Sequence, residues 1–538
     1  MFGNPGSVEQ GLLDAVGDYY PEFQYILALE EATAVAIADG FARKTKKPAV
    51  IQLHSGVGLG NGIGMLYQAM RGHAPLIVLA GEAGIKYDAM EAHMAADIVA
   101  MAKPVTKWAT RVVDSSSLLR VIRRAVKVAS TPPMGPVFVC LPMDILDMQS
   151  EEEIVPSTIL DTRTAPDDSQ LERVAKMLID ARHPVFIIGD GIAYSGAQDE
   201  LAQLVKLVAA EVWAAEGSEM NISGANPNYR GLLNHMSGKY SKAAMAKADV
   251  IFVSGTYLFP EVFPLLADIF PHGKPLIHID LNAYEIAKNF PVDIGIVSDP
   301  KLTFKKLNSI VERIQTSEQK ETVLERNKML ADEKRSQLDL EIKADIESWD
   351  SIPVIPGRFM REFAEHMPPN TIIFDEAETC SVELNRYILS TKPGCFFQTR
   401  WTSLGVGIPG AIGLKIAAPE ATVIGFGGDG GSMYTIQALW TAAHYNIGAK
   451  FVVCNNQGYR ILQNNLRQYW QEHQITGRNF PESFYIKTPE INYVQLSEAL
   501  GVTGVRVEKP ADIRPAIEKM FNHQGPFLID LLVNQTKS

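Results

Sequence analysis

The sequence predicts an α/β protein built from three doubly wound parallel-sheet domains. Three observations carry that prediction. Short apolar runs alternate with helical patterns along the chain, the arrangement that buries parallel strands between layers of helix. At 538 residues the chain is too long for one core and must divide. Two polar, charged stretches separate the strand-bearing runs into three sets. "YILALEE", "PAVIQLHSG", "PLIVLAGE" and "PVFVCLPMD" read as buried strands of a first domain, 1–152. Beyond the acidic joint "MQSEEEIVPSTILDTRTAPDDSQ", the runs "HPVFIIGDG", "ADVIFVSG" and "KPLIHIDL" belong to a central domain, 165–310. A charged helical stretch closed by proline, 311–354, leads to a last domain, 355–538, with strands at "NTIIFDEAE", "ATVIGFGGDG", "AKFVVCNNQG" and "PFLIDLLV". No short-period repeat occurs, which excludes a solenoid.

Bulk properties exclude several functions. A net charge of −12 argues against a nucleic-acid partner, which needs a basic face. No apolar run reaches the length of a membrane span, and "MFGNPGSVEQ" has neither the basic start nor the apolar core of a signal peptide. A cytoplasmic protein is expected. Cys140, Cys380, Cys395 and Cys454 are scattered, as reduced thiols would be. Neither C-x-x-C nor H-E-x-x-H occurs, so zinc is not expected.

Hard oxygen donors stand at two successive strand ends, Asp429 in "GGDGGS" and the pair Asn455 and Asn456 in "CNNQG". Ligands of parallel sheets bind at such carboxyl ends. Gly430 and Gly431 leave amides open at the start of a helical pattern, which suits a phosphate. A carboxylate, a carboxamide and a backbone carbonyl form an oxygen cage for Mg²⁺, which keeps phosphate oxygens and water as further ligands. The bland alternative is turn chemistry alone. The P-loop pattern is absent, and "GVGLGNG" only approximates a dinucleotide loop. On these residues alone both readings stand.

The "GGDGGS…NN" pattern resembles the cofactor motif of the thiamine-diphosphate-dependent enzymes. The resemblance implies Mg²⁺ on Asp429, Asn456 and the backbone of Gly458, and assigns Thr379, Leu404, Gly430, Gly431, Asn456 and Tyr459 to the cofactor. Leu404, in "SLGVGIPGAIG", corresponds to the bulky side chain that props the cofactor in its bent form. Gly431 stands where a serine often follows the motif's GDG, so a hydroxyl contact is lost. "YILALEEATAVAIADGFAR" resembles the segment whose glutamate hydrogen-bonds the cofactor's pyrimidine ring and promotes loss of the thiazolium C2 proton. The second acid, Glu31, takes that role; the adjacent pair Glu30 and Glu31 reads otherwise as a solvated helix start.

Within the family the resemblance is to the benzoylformate decarboxylases. "FGNPGS", "LHS" followed by "GxGN", "PLIVLAG", "ALWTAAxYNI" and "GPFLID" have counterparts at matching spacing, over nearly the whole chain. By position, Ser7 and His54 orient substrate and relay protons. The implied reaction is decarboxylation of a 2-oxo acid to an aldehyde, with carboligation when a second carbonyl compound enters. The implied active unit is a homodimer, often a homotetramer; FAD is not expected. Rival readings are an acetolactate-synthase-like carboligase, a 2-hydroxyacyl-CoA or acyloin lyase, and a non-catalytic cofactor-binding protein.

Four departures matter. The chain begins within the family's first strand. "SGTYLFPEVFPLL" lacks the family's second catalytic histidine, for which His93 is a candidate replacement and His235 a weaker one. Two pocket leucines correspond to His93 and Met94. An aromatic pair is replaced by Asn464 and Asn465. These exchanges imply a more polar pocket, because a buried amide without a partner costs about 1–3 kcal/mol.

Overall fold

The computed structural model describes residues 1–233, 236–400 and 402–534. Its strands form three six-stranded sheets. The first contains β1 (Phe2–Gly3), β2 (Ile26–Leu27), β3 (Ala49–Leu53), β4 (Leu76–Glu82), β5 (Trp108–Arg111) and β6 (Val137–Pro142), in the order β2-β1-β3-β4-β6-β5. The second contains β7 (Pro184–Ile188), β8 (Glu211–Ala214), β9 (Tyr229–Leu232), β10 (Val250–Ser254), β11 (Leu276–Asp280) and β12 (Ile294–Val297), in the order β12-β11-β10-β7-β8-β9. The third contains β13 (Thr371–Glu376), β14 (Phe396–Gln398), β15 (Thr422–Gly428), β16 (Lys450–Asn455), β17 (Thr503–Val507) and β18 (Phe527–Leu532), in the order β14-β13-β15-β16-β18-β17. β13 and β15 to β18 pair in parallel. The expected three-domain α/β architecture is present.

The apolar runs became the central strands. β4, β6, β7, β10, β11, β13 and β16 are buried throughout, as strands covered on both faces must be. "YILALEE" does not behave this way: only Ile26 and Leu27 pair, at a sheet edge, and both are half-buried.

The chain forms two compact units. One comprises Met1–Leu160, Ser348–Tyr387 and the described residues from Gln398 onward; the other comprises Asp161–Glu347 and Ile388–Phe397. The second unit packs Phe186, Phe252 and Phe304 between its sheet and helices. It includes the helix Ser317–Ile346, started by a capping box in which the Thr316 side chain accepts from Gln319 N–H and the Gln319 side chain accepts from Thr316 N–H. Only Val323 and Leu330 are buried along those 30 residues, which makes the charge run a solvated face.

The first unit holds the first sheet and the third sheet apart from Phe396 and Phe397 of β14. The helices Glu31–Thr45 and Gly407–Ala417 meet there backbone to backbone. A β-carbon on Gly413 would lie 1.9 Å from the Ile37 carbonyl oxygen, and one on Gly40 would lie 2.3 Å from the Gly410 carbonyl oxygen. Arg43, buried on the same helix, sits 3.5 Å from Asp39 and donates to the Gln398 carbonyl. Because the obstruction is backbone, Gly413→Ala is expected to cost about 3 kcal/mol, at the upper end of overpacking. A urea unfolding midpoint that does not move would show that the helices separate freely.

Candidate active site

Parallel pairing brings the two oxygen-bearing strand ends together. Gly428 of β15 stands beside Cys454 of β16, so Asp429 and the asparagines emerge side by side. Asp429 Oδ1 accepts from Gly430 N–H at 2.8 Å and Oδ2 from Gly458 N–H at 3.2 Å. Asn456 Oδ1 lies 3.1 Å from the same Gly458 nitrogen, so carboxylate and carboxamide converge on one turn. Tyr493 Oη donates to the Asp429 carbonyl at 2.8 Å. Asn455 plays a different part. Its Nδ2 donates to Asp530 and its Oδ1 accepts from Gln457 N–H, leaving Asn456 as the asparagine turned toward Asp429.

The expected helix does not run on from Asp429. Helical structure covers Asp429–Ser432 and resumes at Ala438–His444. The Gly430 amide is engaged by Asp429, not left open. Its glycine identity has another cause: a β-carbon there would lie 2.5 Å from the Tyr459 ring. Gly431 faces Leu404 and Glu376, at 4.0 Å from Leu404 Cβ and 3.6 Å from Glu376 Oε1 for an added β-carbon. Leu404 is half-buried on the turn before Gly407–Ala417, and Thr379 lies in the 3-10 turn Glu378–Cys380.

Buried acids crowd this end of the third sheet. Burial raises Asp429 to about 6, against four backbone N–H groups that pull it down. Burial likewise lifts Glu376 to about 7. Glu378 reaches about 8, through burial first and then repulsion from Glu376 and Asp375. A desolvated carboxylate beside a carboxamide and a turn carbonyl, the latter accepting only from Arg460 N–H at 3.0 Å among the described backbone groups, is a fit place for a hard cation. Asp429, Asn456 and Gly458 would hold Mg²⁺, with diphosphate oxygens and water completing its shell. Among the described residues no three His, Cys, Asp or Glu side chains gather as a metal site.

The first sheet carries the second group. Neighbouring acids have opposite fates at the start of helix Glu31–Thr45. Glu30 is the N-cap, accepting from Ala32 and Thr33 N–H at 2.9 Å each, the usual task of a capping oxygen. Glu31 is turned inward and 6% exposed. Asn61 Nδ2 donates to it at 3.0 Å and Asn4 Nδ2 at 3.4 Å. A β-carbon on Gly58 would lie 2.9 Å from Glu31 Oε1, so glycine makes room for the carboxyl.

His54, at the carboxyl end of β3, places Nδ1 3.0 Å from Glu9 Oε2. Glu9 is 1% exposed, and its Oε1 accepts from Gly81 N–H at 2.9 Å. A buried carboxylate on one ring nitrogen fixes the orientation of the imidazole. The "NPGS" turn lies directly on this ring: a β-carbon on Gly6 would fall 1.8 Å from His54 Nδ1. Ser7 follows on that turn, exposed. His93 is not on a helix; it is exposed in a turn between Ile85–Met90 and Ile98–Ala102. His235 lies outside the described residues.

Glu9, Asn4, Asn61 and Glu376 escaped the sequence reading. Asn61 and Asn4 were visible in "GxGN" and "FGNPGS" as matching segments, but nothing local says that both point at Glu31. Apart from His93, the predicted catalytic, cofactor and metal residues fall into two groups. Ser7, His54 and Glu31 gather at the strand ends of the first sheet. Thr379, Leu404, Asp429, Gly430, Gly431, Asn456, Gly458 and Tyr459 gather at those of the third.

Two glycine-lined strand ends in the third sheet and an inward glutamate in the first define a class of protein. The chain belongs to the thiamine pyrophosphate enzymes: their N-terminal TPP binding domain matches residues 1–101, their central domain residues 171–307, and their C-terminal TPP binding domain residues 379–531. Among particular relatives, it is 27% identical to a benzoylformate decarboxylase of Pseudomonas aeruginosa, over 99% of this chain and 95% of that protein. It is also 27% identical to an acetolactate synthase large subunit of Lactococcus lactis, over 100% of this chain and 90% of that protein. The crystal structure of benzoylformate decarboxylase from Polynucleobacter necessarius superposes with a TM-score of 0.85 at 24% identity, covering 100% of this chain and 96% of that one. No helix of the described residues is long and apolar enough to cross a membrane.

Proposed function

We propose that this protein is a thiamine-diphosphate- and Mg²⁺-dependent lyase that decarboxylates a 2-oxo acid to an aldehyde, and joins carbonyl compounds when a second one is present. The observation that carries the reading is the pairing, in one chain, of inward-turned Glu31 with the Asp429–Asn456–Gly458 cage. When bound, the cofactor supplies a carbanion able to add to a ketone and an electron sink for the departing carboxylate.

The chain's residues do the rest. Asp429, Asn456 and the Gly458 carbonyl hold the metal that neutralises the diphosphate. Gly431 would leave room for the diphosphate, Gly430 makes room for the Tyr459 ring, and Leu404 would support the cofactor. Glu31, its two oxygens held by Asn61 and Asn4, holds a proton at the cofactor's pyrimidine nitrogen. His54, oriented by Glu9, moves a proton at the reacting carbonyl beside Ser7, and His93 is a candidate second donor. The two groups meet across a homodimer in this proposal, and a homotetramer of such pairs is the expected assembly. Asn464 and Asn465 give the pocket polar walls, which favours substrates with a polar group over a bare phenyl ring.

Relatives of decarboxylase and synthase name at equal identity support carboligation as the second reading. A panel of aliphatic and aromatic 2-oxo acids, assayed with and without added aldehyde, separates them. Decarboxylation predicts steady CO₂ release from the 2-oxo acid alone. Turnover that requires a second carbonyl compound would replace it with carboligation, and no turnover with any pair would leave a cofactor-binding protein.

A further inference from the structure

Glu376, the last residue of β13, has no part in the roles above, yet it is 1% exposed and sits at the centre of the third-sheet group. Its carboxylate accepts from Gly405 N–H through one oxygen and from Gly407 N–H, at 2.6 Å, through the other. One side chain therefore grips the turn on the C-terminal side of Leu404 at two points. The same turn is tied from another direction, because the Gly405 carbonyl accepts from Thr435 Oγ1 at 2.6 Å. The position of an added β-carbon on Gly431, 3.6 Å from Glu376 Oε1 and 4.0 Å from Leu404 Cβ, puts carboxylate, leucine and glycine loop in one layer. Burying an ionised carboxyl is costly unless hydrogen bonds compensate it. A glutamine in this place would serve a fastening with one acceptor and one donor. Two N–H groups presented together need two acceptor oxygens, and only a carboxylate supplies both.

We propose that Glu376 is a positioning residue that sets how far Leu404 projects above the Gly430–Gly431 loop, and so which bend of a two-ring diphosphate cofactor the site accepts. The inference rests on the thiamine diphosphate reading.

Calorimetry with two probes tests it: thiamine diphosphate with Mg²⁺, and inorganic pyrophosphate with Mg²⁺, which fills the diphosphate cradle without reaching Leu404. In Glu376→Gln the new amide group opposes one of the two N–H donors. Affinity for thiamine diphosphate is expected to fall on the order of tenfold while that for pyrophosphate stays within about twofold. Leu404→Ala should reproduce this pattern, and adding Glu376→Gln to it should cost nothing more, as for residues acting through one another. Equal losses for both probes, or additive losses in the double variant, would overturn the proposal. If Glu376→Gln does not fold, Glu376→Asp, with both acceptors on a shorter stem, should show the same selective loss in smaller measure, and an unselective loss overturns it equally. Wild-type protein that binds neither probe overturns the thiamine reading and this inference with it; wild-type binding with unselective variants sinks this inference alone.

Discussion

Glu31→Gln is expected to lower kcat by about two to four orders of magnitude, the range set by removal of a general acid–base group, while the protein still takes up thiamine diphosphate and Mg²⁺. The substitution keeps shape and removes the exchangeable carboxyl proton. Asn61 still finds a carbonyl oxygen at the 3.0 Å position, and the longer Asn4 contact of 3.4 Å involves an amide that can turn its oxygen toward the new NH₂. Neither the N-cap, which belongs to Glu30, nor the space left by Gly58 changes, so stability should shift by no more than about 1 kcal/mol. Steady-state rates on the substrate found by the 2-oxo-acid panel, with calorimetry of cofactor uptake on the same sample, decide the matter. Undiminished turnover would remove Glu31 from the chemistry. Glu30→Gln is the control, expected to weaken the helix start and leave kcat nearly intact.

Asp429→Asn should abolish Mg²⁺-dependent uptake of thiamine diphosphate, with a loss of at least ~100-fold in affinity, and should change how apo-protein stability depends on pH. The sign follows from linkage. Asp429 is raised in the folded protein from 3.8 to about 6. The protein therefore has its full stability from this group only below the unfolded pKa, and loses it as pH climbs through about 6. The magnitude is on the order of 3 kcal/mol. Asparagine does not titrate, but its NH₂ meets the Gly458 N–H that Oδ2 accepted, at a cost of about 1–3 kcal/mol. Absolute stabilities of the two proteins will thus lie close together, and the slope is the diagnostic. Between pH 4 and 7, wild-type apo-protein should lose denaturant resistance relative to the variant. A difference that is flat with pH would mean that the carboxylate is not desolvated as described.

Much of this architecture could be read from the residues alone because the informative strands are central ones. Runs such as "PLIVLAG" and "FVVC" are apolar at every position, a pattern that two-sided burial demands and edge strands lack. β5 ("WATR"), β8 ("EVWA") and β17 ("TGVRV") mix charge with apolar residues, and went unseen for that reason. Residues of the site were legible where chemistry is local. Asp429, Asn456 and Gly458 lie on two strand ends whose pairing follows from the fold class. Glu31 could be chosen over Glu30, and the two turned out to face opposite ways. Glu9 was hidden because its partners, His54 and Gly81, stand 45 and 72 positions away. Glu376 was hidden because a carboxylate closing on two backbone amides leaves no pattern in the side chains. The helix anticipated after Asp429 is interrupted instead: it covers Asp429–Ser432 and resumes at Ala438.

The bare crossing of Gly40 and Gly413 with the opposite helix has a bearing on adaptation. Where two rods touch through their main chains, no side chain is left to yield, and one cannot be reseated against the other by small steps. The helix that begins at Glu31 is indexed to its neighbour as firmly as a key to its slot. New substrates must then be accommodated by other segments, such as the turn bearing His93 and the helix Arg460–Glu472 after Tyr459, and laboratory evolution of this protein should accumulate its changes there.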